Sequence, residues 1–221
     1  MLAKNKLPNK KQIGISLILG GLVLISGFGI NMSVNFGMFP LAIVTILCAF
    51  AMLSIFNKYP AHAMRLLKNN SAKSLVTSIA IGLAAGVILG SINLFLSGEE
   101  LHLNITPSAL IIALNPGIYE EIAFRAFMYA FTLYMMRGII NSKAQKFTLW
   151  FMMIIPHVLV HTPDVFINNG IISGMTYTIL LIALFGFPLA FLQWKRDIIS
   201  AMIAHGIVMV IWFSFVGLPM I

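Results

Sequence analysis

Six residues of this chain carry charge or can move protons within apolar sequence: Glu120, Glu121, Arg125, His157, His161 and His205. The first three fall in "NPGIYEEIAFRAFMYAF", residues 115–131, among Ile, Ala, Phe, Met and Tyr. On a helix Glu121 and Arg125 stand at i, i+4 and can pair on one face. Glu120 is turned about 100° from Glu121. Tyr119 and Phe124 are its neighbours, and it has no charged partner nearby in sequence. Such a carboxyl is available to exchange a proton as a general base or acid. His157 and His161 are again at i, i+4, and His205 has Gly206 beside it, which leaves room. Ionisable groups inside membrane segments are costly and face a cavity or one another. The six therefore read as one site.

Two chemistries could use this set. Two histidines at i, i+4, a third histidine and a glutamate would suit zinc, although the H-E-x-x-H spacing of zinc proteases is absent. In metal-free hydrolysis, Glu120 and a histidine would activate water while another histidine donates to an oxyanion. Residue types alone leave both open.

The elements that must position these groups are membrane helices. The chain has 221 residues, is 60% apolar and 9% charged, and has a mean hydropathy of +0.98. Soluble domains are roughly 45–50% apolar. A spanning helix needs about 20 largely apolar residues, so the chain has room for about seven. The apolar runs are approximately 12–31, 36–56, 74–97, 107–136, 147–162, 170–194 and 197–217. The first follows "MLAKNKLPNKKQ" and is longer than a signal-peptide core, with no A-x-A site after it. It reads as an uncleaved helix. No soluble domain or repeat interrupts the runs, so residues 1–221 form a single transmembrane domain.

The loops alternate in charge. Lys4, Lys6, Lys10 and Lys11 precede the first run; Lys58, Arg65, Lys68 and Lys73 separate the second and third; Arg137, Lys143 and Lys146 the fourth and fifth; Lys195 and Arg196 the last two. The intervening connections carry no Lys or Arg. The positive-inside rule then places the N-terminus in the cytoplasm and the C-terminus outside. The net charge of +8 is spread over these loops, which argues for topology rather than nucleic acid. The lone Cys48 makes no intramolecular disulfide. Gly82, Gly86 and Gly90 share one face of the third run and allow a close helix approach, favouring packing inside the bundle over a dimer face.

"EEIAFR", Glu120 to Arg125, resembles the EExxxR motif of the CPBP family of intramembrane proteases. That family includes the CAAX-type prenyl endopeptidases and the bacterial Abi and bacteriocin-immunity proteins. Its second motif is FxxxH. "HVLVHTPDVF" aligns with His161 as the motif histidine and His157 at the Phe position, while "MIIPH" gives a register with His157 as the histidine. The run "GFPLAFLQWKRDIISAMIAHGIVM" resembles the approach to the third motif, HxxxN or HxxxD, with His205 as its histidine and Met209 at the Asn/Asp position. The resemblance covers roughly residues 107–215.

It implies an all-α polytopic bundle with a metal-free glutamate mechanism and no cofactor. Glu120 and His161 (or His157) would activate water, His205 would donate to the oxyanion, and Glu121 with Arg125 would support them. The implied substrate is a peptide or lipidated protein within the membrane, with other membrane proteins as further partners. The implied location is the cell membrane, multi-pass, of a bacterium. A non-catalytic binding or self-immunity protein on the same scaffold is the alternative, which Met209 favours because a thioether donates no hydrogen bond. A transporter should show inverted repeats, and none is visible.

Overall fold

The structure, a computed structural model, describes residues 7–27 and 35–218, with side chains in the second segment from Met38 onward. Lys4, Lys6, the end of the first apolar run and Ile221 lie outside the described residues. Helices coincide with all seven runs. They are α1 (Asn9–Ser26), α2 (Asn35–Lys58), α3 (Ala72–Ser97), α4 (107–135), α5 (Lys143–Val160), α6 (Pro163–Lys195) and α7 (Ile198–Phe215). No strand occurs among the described residues.

The helix starts carry sequence signals for them. Ser71, Thr106 and Asp197 each accept a hydrogen bond from the backbone N–H three residues on, at 3.2, 3.1 and 2.9 Å. Ser142 and Gln145 form a reciprocal capping box. These caps satisfy donors that have no partner within the helix. Gly98, at φ 67°, closes α3 in the left-handed region. Gly170, at φ 83° and ψ 175°, breaks α6, so 163–169 folds against the rod and Phe166 covers Gly174.

Two of the rods are not uniform. α4 comprises Pro107–Ile112, a π-helical Pro116–Ala126 and Phe127–Met135. α6 contains a second π segment, Ile182–Gly186. Both adjoin a proline, Pro116 and Pro188, which supplies no N–H to the regular i→i−4 ladder.

Among the described residues, four helices are long and apolar enough to cross a membrane: Met38–Lys58, Ala72–Ser97, Pro163–Lys195 and Ile198–Phe215. The others are less apolar because α1 and α5 begin with lysines and α4 holds the charged motif. The outer surface is apolar, with Phe95 86% and Ile172 84% exposed. Water would penalise that surface and lipid would not.

Packing follows small residues. A Cβ on Gly82 would meet the Ser200 carbonyl at 2.8 Å, and on Gly86 the Ala204 carbonyl at 2.6 Å. The glycine face of α3 is thus occupied by α7, inside the bundle. Described basic segments gather at one end. Leu7 N–H donates to Asn57, Ile198 N–H to the Arg65 carbonyl, and Arg196 to Ser74, while Gly138 lies against Tyr59. At the other end His102 and Asn104 N–H groups donate to the Phe215 and Ser214 carbonyls.

Candidate active site

The site forms where α4, α5 and α7 meet. Gly117 and Gly206 let α4 and α7 touch through backbone: a Cβ on Gly117 would meet Gly206 Cα at 3.1 Å and the Met202 carbonyl at 2.9 Å. That approach sets His205 opposite the motif on α4. The motif sits in the π segment, whose ring closes over five residues rather than four. A wider turn reduces the angle between successive side chains. Glu120 and Glu121 therefore both reach the interior, closer in direction than the regular helix of the sequence reading allows.

Glu121 and Arg125 pair as their spacing requires. Both are fully buried, and Arg125 Nε donates to Glu121 Oε1 at 2.8 Å. His205 Nδ1 also donates to Oε1 at 2.8 Å. Gln193 of α6 donates to Oε2 at 2.7 Å and to the Glu121 backbone carbonyl at 3.1 Å. Three donors thus compensate a carboxylate that burial would otherwise penalise. Gln193 was not among the expected site residues. Its signal is an amide in the apolar run "GFPLAFLQW", which must find a polar partner.

Arg125 also fixes a histidine. Its Nη2 lies 3.0 Å from His157 Nδ1, and Nη1 donates to the Gly186 carbonyl at 3.4 Å. A guanidinium has donors only. His157 Nδ1 must accept, which puts the ring proton on Nε2. That Nε2 donates to Glu120 Oε2 at 2.8 Å. One chain of hydrogen bonds runs from Glu121 through Arg125 and His157 to Glu120.

Glu120 finds its partners on other helices. Besides His157, His161 Nε2 lies 3.2 Å from the same oxygen and His205 Nε2 lies 3.8 Å from it. Glu120 Oε1 accepts no hydrogen bond from the described residues. His157 is 3% exposed whereas His161, the residue just after α5, is 40% exposed. Both sequence registers therefore reach Glu120, His157 from the interior and His161 from the rim. Met209 packs with Ala109, Ile112, Ala113 and Phe213, so an apolar contact stands one turn beyond His205.

Ligand atoms of Glu120, His157 and His205 lie within 4.8 Å of one another, close enough for one metal ion. The donor pattern does not fit one. A ligating histidine gives its second ring N–H to an acceptor. His157 instead receives the Arg125 donor at Nδ1. Binding a metal through Nε2 as well would strip the ring of its only proton.

The six residues singled out in the sequence thus share one centre. No curated protein and no solved structure matches the chain. The family model described as "Type II CAAX prenyl endopeptidase Rce1-like" matches residues 102–211, which contain all six. Over these residues the chain is similar to the Rce1-like type II CAAX prenyl endopeptidases, consistent with a CPBP family protein.

Proposed function

We propose that the chain is an intramembrane endopeptidase in which Glu120 activates water without a metal. The observation that carries this is the convergence of three imidazole Nε2 atoms on one carboxylate oxygen, Glu120 Oε2, with Oε1 left free among the described residues. His157 and His161 hold Oε2, so Oε1 is the oxygen directed to water. It takes the water proton as the oxygen attacks a peptide carbonyl, then returns that proton to the leaving amine. His205 faces the same point. In its doubly protonated form it presents Nε2–H to the developing oxyanion, and Glu121 behind Nδ1 balances its charge.

The same reading takes the seven helices as seven spans, with the N-terminus cytoplasmic because the described basic segments share one end. The protein is then a multi-pass component of a bacterial cell membrane. Its substrate is a membrane-associated or lipidated protein. A binding or self-immunity role without catalysis is the second reading, favoured by Met209 where the family motif has a donor. Quantitative proteomics of membranes expressing wild type and Glu120→Ala separates them. Peptides ending at new C-termini should appear only with wild type. An effect on the cell that persists in Glu120→Ala at equal protein level would leave the binding reading.

A further inference from the structure

We propose that the basic end of the bundle holds a phosphate-binding site for the headgroup of an anionic phospholipid. A cavity of about 500 Å³ there is lined by Arg65, Lys68, Lys195 and Arg196, with Tyr129 and Trp194 among its walls and no carboxylate. The positive-inside rule asks only that such residues lie in loops. It does not ask that four of them, from two loops, surround one hollow.

The walls are built. Ile198 and Ile199 N–H groups donate to the Arg65 and Leu66 carbonyls at 3.0 and 3.1 Å, which straps the α2–α3 connection onto the start of α7. Lys68 N–H donates to Asp197 Oδ2 at 3.1 Å, and Arg65 Nη1 donates to the Lys68 carbonyl at 2.9 Å. Asp197 is fully buried and already accepts from Ser78 Oγ and Ser200 N–H at 2.6 and 2.9 Å. It can offset at most the adjacent Arg196, whose Nε lies 3.5 Å away. Arg65, Lys68 and Lys195 have no carboxylate partner among the described residues. Like charges gathered this way repel unless an anion joins them, and a phosphate with several acceptor oxygens matches guanidinium and ammonium donors.

The lipid source is favoured by what adjoins the cavity. Trp194 packs edge-on to Trp150 at 5.5 Å, and Trp150 stacks on Phe187 at 5.6 Å. Phe187, Phe191 and Trp194 are each more than 40% exposed. Exposed aromatics at a helix end mark the headgroup level of a bilayer. A headgroup in the cavity would lay its chains along this aromatic strip. The site is separate from the proposed catalytic one: none of its lining cations bonds to Glu120 or Glu121.

Native mass spectrometry of the purified full chain, titrated with phosphatidylglycerol or phosphatidylcholine, tests the site. Phosphatidylglycerol should bind more tightly. Each neutralised cation should weaken it about fivefold, from about 1 kcal/mol per basic residue. The variants are Arg65→Gln with Lys68→Gln, and separately Lys195→Gln, whose side chain lies over Trp194 and holds no backbone group. Lys143→Gln with Lys146→Gln removes equal charge outside the cavity and should leave binding unchanged. Equal weakening in that control, or none in Lys195→Gln with intact thermal stability, overturns the site. Binding of inorganic phosphate with no preference between the two lipids overturns the lipid source.

Discussion

Arg125 offers the sharpest mutational test, because one guanidinium serves Glu121, His157 and Gly186 while wholly buried. Removing the charge, as in Arg125→Met, takes the buried guanidinium partner from Glu121 and leaves it only the His205 and Gln193 donors. Breaking a buried pair costs about 3–5 kcal/mol, a large share of the roughly 5–15 kcal/mol that holds a protein folded. Arg125→Lys is more informative. An ammonium keeps the charge beside Glu121, but a single point donor on a flexible stem cannot also span to His157. The lost hydrogen bond between a charged donor and the ring is worth about 1.5–3 kcal/mol, equivalent to about 3–12 °C in thermal midpoint for a chain of this size. Freed from its donor, His157 can invert its tautomer and turn a lone pair toward Glu120, which would misplace the base. A misplacement on the 1 Å scale costs about 10²-fold in turnover. The assay is thermal unfolding in detergent together with ¹⁵N NMR of selectively labelled histidine. Wild type should show His157 protonated at Nε2 and accepting at Nδ1, and Arg125→Lys should lose that signature. A wild-type ring protonated at Nδ1, or an unchanged ring and midpoint in Arg125→Lys, would refute the hydrogen-bond chain.

Other expected outcomes follow from single contacts. Met209→Asn should maintain or raise turnover, since it adds a donor one turn from His205, whereas His205→Ala should depress it by about 10²–10³-fold; both are measured at matched protein level. The purified chain should carry no stoichiometric zinc by elemental analysis, and a chelator effect reversed by zinc alone would contradict the donor pattern at His157. Gly86→Val should lower the thermal midpoint, since its Cβ would meet the Ala204 carbonyl at 2.6 Å and overpacking typically costs about 1–3 kcal/mol. A reporter inserted near Asn70 should lie in the cytoplasm and one fused after Ile221 outside it; both on one side would break the span assignment.

Much of the site was legible because membrane sequence is so restrictive. In apolar runs each ionisable residue is conspicuous, and Glu120, Glu121, Arg125, His157, His161 and His205 do meet in space. The i, i+4 rule gave the Glu121–Arg125 pair. It could not give the π segment, because a widened turn leaves no periodic signature in eleven residues that also carry the motif. Nor could it choose between His157 and His161. Both reach Glu120, and only the tertiary position of Arg125 distinguishes the buried ring from the exposed one. Gln193 was missed because a lone amide near a helix end reads as a boundary residue, although it sits 1% exposed beneath Glu121. The anchor around Asp197 was invisible for a different reason: its partners Lys68, Ser78 and Arg196 come from two separate parts of the chain. The glycine stripe of α3 was readable as a packing face, and α7 fills it.

Isotope incorporation tests water activation by Glu120 most directly. Membranes expressing wild type or Glu120→Gln at equal level are incubated in H₂¹⁸O, and peptide C-termini are mapped by mass spectrometry. Hydrolysis by an activated water places one ¹⁸O in each new C-terminal carboxyl. Labelled C-termini of membrane-associated proteins should appear with wild type, unaffected by a chelator, and be absent in Glu120→Gln. The same labelled termini in both samples would contradict water activation by Glu120.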